Sequence, residues 1–126
     1  MSTRGIIAKK ARKGYEYIYV HSDAYPSYTG AILTKYYKSP QKVDKLISLG
    51  DASFLTKSIG KKHDFDDYAA RKKWTTFYGR DRGETGVGKK QISTIRALIS
   101  RAITQYIEHI YVYKNGKWSH VYGRNG

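Results

Sequence analysis

The chain has 126 residues, 24 Lys and Arg against 10 Asp and Glu, and no cysteine. This length predicts one domain over 1–126, and the lack of cysteine excludes disulfides and thiolate metal sites. The apolar runs are too short to cross a bilayer, and the first residues lack the apolar stretch of a secretory signal. We therefore expect a soluble cytoplasmic protein without a membrane partner.

The formal net charge of +14 is the main functional signal, and it is accompanied by 13 tyrosines. A compact domain this basic repels itself unless an anionic partner neutralises it. Lysine and arginine bind phosphates, and tyrosine rings offer flat faces for unpaired bases. The composition favours nucleic acid, DNA or RNA, as the partner; the alternative is a merely solubilising surface.

Two strands are predicted near the N-terminus, over 3–9 and 15–20, joined by a basic turn that ends at Gly14. The second strand has the period-two pattern of a strand with two different faces. One face carries three tyrosines, Tyr15, Tyr17 and Tyr19.

Two helices are predicted to follow these strands. A polar break, in which Ser22 or Asp23 can act as a cap, precedes apolar residues at helical spacing over about 25–37. The dipeptide Ser39-Pro40 supplies an N-cap and a first helical residue, and Gly50 ends the second helix.

The middle of the chain is less regular. Residues 51–73 are polar and interrupted by glycine, so we interpret them as a loop. A strand is predicted over Trp74–Tyr78, and four glycines within 79–88 indicate a connection rich in turns.

The last third gives the clearest pattern. An apolar stripe predicts a helix over about 91–107. The turn Asn115-Gly116 between residues 110–113 and 118–122 predicts a C-terminal β-hairpin. In total the pattern predicts an α+β fold, an antiparallel sheet of about five strands with about three helices on one face.

Four segments also carry a resemblance to a known family. They are STR at 2–4, YVHSDAYP at 19–26, LGDASFL at 49–55 and TFYGRDRGE at 76–84. In this order they resemble a family of small, largely uncharacterised tailed-phage proteins with an HxDGYP-like motif. This chain departs from the family at Ala24, where glycine is usual, and in its higher charge. The resemblance implies an accessory role in infection, in the cytoplasm of the infected host cell, and no catalytic residue.

The predicted binding residues are mostly cations. Arg80 and Arg82 lie on a glycine-flanked loop, where they either grip phosphates or form an internal ion-pair network. The predicted nucleic-acid-binding residues are Arg4, Lys9, Lys10, Arg12, Lys13, Lys61, Lys62, Arg71, Lys72, Lys73, Arg80, Arg82, Lys89 and Lys90. We expect the basic N-terminal strand pair, the 57–73 loop and the Arg80/Arg82 loop to form one positive surface.

Two other sets of residues suggest alternative roles. A candidate functional loop after the second strand holds His21, Asp23 and Tyr25, with helix capping as the alternative role of Asp23. Imidazole and carboxylate groups could assemble a hydrolytic metal site, although no spacing matches a ligand motif and the acids alternatively cap a turn. These groups are His21, Asp23, His63, Asp64, Asp66 and Asp67. We predict no metal and no cofactor.

The strand tyrosines allow two interpretations. If strands 15–19 and 111–113 pair, their rings could form a stacking platform on one face of the sheet. Packing in the core is the more common fate of such rings, and we assign Trp74 and Trp118 to the core.

Our first hypothesis is a non-enzymatic phage accessory protein, for host takeover or anti-defence, that binds nucleic acid through backbone phosphates. The alternative is an inhibitor that docks on a host defence or nucleic-acid-processing complex and acts by occlusion. A metal-dependent nuclease is the third hypothesis. The oligomeric state stays open, with a dimer through the hairpin edges or the 91–107 helix as one option.

Overall fold

The computed structural model describes residues 3–124, and a mixed β-sheet of seven strands runs through this part of the chain. The strands run in the order β4-β3-β2-β1-β6-β7, and β5 pairs with the first half of β2. Their bounds are β1 Gly5–Lys10, β2 Tyr15–Val20, β3 Ala52–Phe54, β4 Thr76–Phe77, β5 Lys90–Ile92, β6 His109–Lys114 and β7 Lys117–Tyr122.

The predicted α+β class is confirmed, but the predicted antiparallel sheet of about five strands is wrong. β1 pairs with β6 in parallel, as does β2 with β3, and the other pairings are antiparallel. Parallel partners are joined by long connections, so the local pattern of a strand does not reveal them. The three additional or shortened strands, β3, β4 and β5, are too short to show a period of two.

Helices account for most of the remaining regular structure of residues 3–124. A π-helical turn, Pro26–Gly30, continues into α1, and together they match the helix predicted over 25–37. Helix α2 begins at Pro40 as predicted, and the Ser39 hydroxyl accepts a 3.2 Å hydrogen bond from the Lys42 N–H. The α-helices are α1 Ala31–Tyr36, α2 Pro40–Ser48, α3 Tyr68–Lys73, α4 Tyr78–Arg82 and α5 Ile95–Thr104.

The helix predicted over 91–107 is shorter than expected. Residues 90–92 form β5 and pair with residues 15–17 of β2. The residues predicted as the first turn of the helix therefore belong to the sheet. Helix α5 begins after Thr94, whose hydroxyl accepts a 3.0 Å hydrogen bond from the Ala97 N–H. The apolar stripe is real, but its first member, Ile92, belongs to a strand.

The predicted loop at 51–73 contains the largest error in the secondary structure. It holds strand β3 and helix α3, while the strand predicted over Trp74–Tyr78 is reduced to Thr76–Phe77 and followed by α4. The side chain of Asp67 caps α3 by accepting hydrogen bonds from the backbone of Ala69 and Ala70, at 3.1 and 3.3 Å.

Helices cover both faces of the sheet, not one face as predicted. Ile7 of β1 packs with residues of α1 and α2, whereas Ile6 and Ala8 pack on the opposite face with Leu98 and Ala102 of α5. All three β1 side chains are fully buried. A continuous apolar run of this kind is typical of a strand covered on both sides.

The C-terminal hairpin is confirmed. Asn115 and Gly116 both have positive φ, 54° and 76°, as a two-residue hairpin turn requires. Within residues 3–124, no helix is long and apolar enough to cross a membrane.

Candidate nucleic-acid interface

A groove lies between the π-helical turn with α1 and helix α3. It consists of two adjoining cavities of about 600 and 440 Å³, which share Tyr28, Thr56 and Lys72. We call it the basic groove. Its lining residues are Ser22, Asp23, Tyr28, Ile32, Tyr36, Phe54, Thr56, Lys57, Ser58, Tyr68, Arg71, Lys72, Lys73 and Trp74.

The charge of the basic groove is strongly positive. Its cationic lining residues are Lys57, Arg71, Lys72 and Lys73, and the acidic one is Asp23. A second surface depression, around α4, has Lys62 and Arg82 but also three aspartates, so its charges largely cancel. Of these two depressions, only the basic groove has a net positive charge that attracts an anion.

Aromatic rings lie beside the cations of the basic groove. Lys72 Nζ is 4.4 Å from the ring centroid of Tyr68, and Lys73 Nζ is 5.1 Å from that of Trp74. Outside the lining set, Lys61 approaches Trp74 at 5.7 Å and Lys35 approaches Tyr36 at 5.4 Å. Cations and rings therefore alternate along this surface, a pattern typical of sites that bind single strands.

The local fold of α3 directs its lysines outward. Ala70 is buried, while Lys72 and Lys73 are exposed. Arg71 turns inward instead: its guanidinium donates to the Phe65 carbonyl at 2.8 Å and to the Ser53 hydroxyl at 3.0 Å. The guanidinium also lies about 5 Å from the ring centroids of Phe54 and Phe65. Arg71 therefore anchors α3 to β3 and contributes its charge from the groove wall.

A buried hydrogen-bond network stabilises the wall of the groove at Thr56. The Tyr37 hydroxyl donates to the Thr56 carbonyl at 2.7 Å, and the Thr56 N–H donates to the Thr75 hydroxyl at 2.9 Å. Burial raises the pKa of Tyr37 to about 12, so this donor stays protonated. The network fixes the segment before Lys57 to the segment before β4.

Arg80 and Asp81 form an internal ion-pair network, which is one of the two interpretations of the glycine-flanked loop given above. Arg80 Nε donates to Asp81 Oδ1 at 2.9 Å, and its terminal nitrogens donate to the carbonyls of Ile59 and Thr75 at 3.0 and 2.9 Å. The Arg80 side chain is only 12% exposed. It therefore holds the 59–75 segment in place and is not presented to a phosphate, whereas Arg82 lies at the surface beside Glu84.

The other predicted cations fall into three groups. Arg12, Lys13, Lys61, Lys62, Lys72 and Lys73 are exposed and form no salt bridge with a carboxylate of residues 3–124. Arg4 and Lys10 donate to backbone carbonyls, as Arg71 does. Carboxylates hold Lys9, Lys89 and Lys90, which pair with Asp44, Glu16 and Asp51, respectively.

The structure does not bring the predicted surface together. The Lys10–Lys13 turn follows β1 and leads into Tyr15, at one end of β2, whereas Ser22 and Asp23 of the basic groove follow the other end. A six-residue strand spans roughly 20 Å. The cations of the Lys10–Lys13 turn and the α3 cations therefore occupy separate surfaces.

The candidate functional loop lies partly in the groove. Asp23 lines it with a positive φ of 56°, and the exposed Tyr25 ring is 6.2 Å from that of Tyr28. Asp23 is not the helix cap: the N-cap is Tyr25, without a side-chain hydrogen bond, and Asp23 instead accepts from the Thr29 hydroxyl through its carbonyl.

His21, the third residue of the candidate functional loop, is not among the residues that line the basic groove. Its half-buried ring lies 5.0 Å from that of Tyr78. Burial is the main cause of its lowered pKa; Asp51 opposes the shift, and Arg4 adds to it.

The hypothetical metal site is not assembled. Within residues 3–124, no three His, Asp or Glu side chains come together as a metal site. His63 contacts the Lys61 carbonyl and the Thr76 hydroxyl, Asp64 accepts from the Asp66 N–H, and Asp67 caps α3. These groups stabilise turns, which was the alternative interpretation of the acids.

The stacking platform of strand tyrosines is also wrong. Tyr15 and Tyr17 pack against α5, whereas Tyr111 and Tyr113 lie on the opposite face in the other core cluster. All four are buried, as the packing interpretation expects. Trp74 and Trp118 are only partly buried.

Sequence reasoning missed the exposed rings of Tyr36 and Tyr68. The sequence pattern places Tyr36 in the apolar stripe of the helix predicted over 25–37, and it places Tyr68 in the loop predicted over 51–73. One signal was available for Tyr68: Asp67 is a preferred N-cap residue, and the cations at 71–73 are of the kind favoured in the last turn of a helix.

Comparisons of the chain with protein-family models, with curated proteins and with solved structures gave no match.

Proposed function

We propose that this protein binds nucleic acid without catalysing a reaction, and that the basic groove is its main phosphate-binding surface. The observation that carries the proposal is the charge of the groove, four cations against Asp23, with exposed lysines beside aromatic rings. Phosphate contacts position a polynucleotide without reading its sequence, so binding is weakly selective.

The salt bridges of residues 3–124 support this assignment because the lysines and arginines that they neutralise lie outside the basic groove. Glu16, Asp44 and Asp51 neutralise Lys9, Lys89 and Lys90. Their cations are thereby less available, whereas Lys57, Lys72 and Lys73 keep uncompensated charge. We accordingly centre the proposed interface on Lys57 and on Lys72 and Lys73 of α3.

A salt titration tests the proposal. Binding of a labelled oligonucleotide is measured by fluorescence anisotropy from about 20 to 300 mM salt, where the logarithm of affinity falls linearly with the logarithm of salt concentration. We expect the triple variant Lys57→Ala, Lys72→Ala, Lys73→Ala to bind more weakly and to flatten the slope by about two units.

A matched control removes the same charge from the other surface. The variant Lys10→Ala, Arg12→Ala, Lys13→Ala also loses three positive charges, but at the opposite end of β2. We expect it to keep most of the affinity and the slope. Equal losses in both variants would contradict a localised interface, and no binding by the unaltered protein at low salt would overturn the proposal.

We further propose that this binding serves an accessory role in phage infection, which rests on the family resemblance alone. Capture of partners from infected host cells, with and without nuclease, tests this role. Loss of the captured material on nuclease treatment supports it, whereas nuclease-resistant capture of a host protein favours the occlusion mechanism.

A further inference from the structure

Two tyrosine rings at the basic groove are left in contact with solvent. Tyr68, the first residue of α3, is 72% exposed, and Tyr36, the last residue of α1, is 38% exposed. Large aromatic side chains are costly to leave in water when they have no partner. Tyr68 contributes little to the protein core, so the structure itself does not require its ring.

A lysine lies beside each of these rings. Lys72 Nζ lies 4.4 Å from the Tyr68 centroid, and Lys57 Nζ lies 5.9 Å from the Tyr36 centroid. A nucleotide joins a flat base to an anionic phosphate. A base that stacks on Tyr68 would therefore bring its phosphate close to Lys72, which can exchange its contact with the ring for an ion pair.

We infer that the basic groove binds single-stranded nucleic acid, with unpaired bases stacked on Tyr68 and Tyr36. This inference rests on the proposed function. A duplex buries the faces of its bases, so these rings would add nothing to its binding, whereas every unpaired base presents a face of suitable size. Stacking does not depend on base identity, so it gives a preference for single strands without a preference for sequence.

The test compares three probes of about twelve nucleotides, a length within the range that single-strand sites cover. They are an oligothymidylate, an abasic strand with the same phosphates, and a duplex. The unaltered protein should bind oligothymidylate more tightly than the abasic strand. An oligouridylate probe carries ribose in place of deoxyribose and so compares RNA with DNA. Tight binding of either single strand supports the inference.

The variant Tyr68→Ala isolates the ring from the charge. We expect it to weaken binding of oligothymidylate by roughly 5- to 150-fold, with an unchanged salt slope. Its affinities for the abasic strand and the duplex should stay as in the unaltered protein. Tyr68→Phe is the matched control, because it keeps the ring and should keep the affinity. Thermal unfolding verifies that both variants are folded.

The outcomes separate this inference from the proposed function. If single strand, abasic strand and duplex bind equally and Tyr68→Ala changes nothing, the stacking inference is wrong while phosphate binding stands. If none of the probes binds at low salt, both are overturned. Binding only of an acidic protein would likewise overturn both.

Discussion

At the scale of single residues, Asp81 accepts more hydrogen bonds than any other acid of residues 3–124. Its carboxylate accepts hydrogen bonds from the Phe77 and His63 backbone, at 2.8 and 3.0 Å, and pairs with Arg80 at 2.9 Å. Burial alone would raise the pKa of Asp81, but these bonds outweigh it and lower the pKa below 3.8. The residue holds the segment that leads to α3.

Asp81→Asn should therefore destabilise the protein by about 3–5 kcal/mol, the cost of breaking a buried ion pair. The amide keeps the shape of the side chain but leaves the buried Arg80 guanidinium without its counter-charge. Urea unfolding at neutral pH measures the loss. The matched control is Glu84→Gln, which removes an exposed pair with Arg82 and should cost at most about 1 kcal/mol.

The same variant has a pH signature. Because the folded-state pKa of Asp81 is lowered, its stabilisation is complete above the unfolded value of 3.8 and is lost as pH falls through the folded pKa. Asp81→Asn should lack this part of the acid dependence. A destabilisation no larger than that of Glu84→Gln would contradict the central role of Asp81.

At the scale of elements, the β6–β7 hairpin carries a pair of histidines. His109 Nδ1 lies 2.9 Å from His120 Nε2, and the rings of Tyr111 and Tyr122 surround them. Burial is the main cause of the lowered pKa of both imidazoles; for His109 the His120 charge adds to it and Glu108 opposes it. Only one proton fits between the two facing nitrogens.

This pair should make stability fall on mild acidification. Below the unfolded value of 6.5, the unfolded chain takes up protons that the folded hairpin resists, so the free energy of unfolding decreases. In His120→Phe, the drop in melting temperature between about pH 7.5 and pH 5 should be smaller, since one imidazole is gone. Tyr122→Phe, on the same strand, should leave the drop unchanged. An equal drop in all three proteins would contradict the role of the pair.

The elements also show what sequence can and cannot predict. Asn115-Gly116 and Ser39-Pro40 specify their structures through the φ angles and donors of a few neighbouring residues, so the hairpin and α2 were predictable. β5 was not, because it pairs with residues 15–17 of β2, which lie some 75 residues away in the chain and also pair with β1. Short elements that are stabilised by distant partners leave almost no periodic signal of their own.

At the scale of the whole molecule, the sequence predicts the net charge but not which lysines and arginines the acids neutralise. Five of the ten acids, Glu16, Asp44, Asp51, Asp81 and Glu84, form salt bridges with lysines and arginines. All of these cations lie outside the lining of the basic groove. The cations of the basic groove lie in the 57–73 segment, which the sequence already marks as positive, whereas the long-range pairing that neutralises Lys9, Lys89 and Lys90 is described by no local pattern in the sequence.

This distribution predicts how salt and ligand act on global stability. Self-repulsion at a net charge of +14 destabilises the compact state, so raising the salt concentration from about 20 to 500 mM should raise the melting temperature of the free protein. An oligonucleotide at about 100 times its dissociation constant should raise it by roughly 8–15 °C at low salt. The oligonucleotide effect should vanish at high salt, where phosphate contacts weaken.

The two triple variants separate global charge from the interface. Each lowers the net charge by the same amount, so both should reduce the salt-induced rise in melting temperature alike. The variant with Lys57, Lys72 and Lys73 changed to alanine should lose most of the oligonucleotide-induced rise. The variant with Lys10, Arg12 and Lys13 changed should keep it. If the oligonucleotide effect follows net charge alone in both variants, the partner is attracted by the whole molecule and the groove has no privileged role.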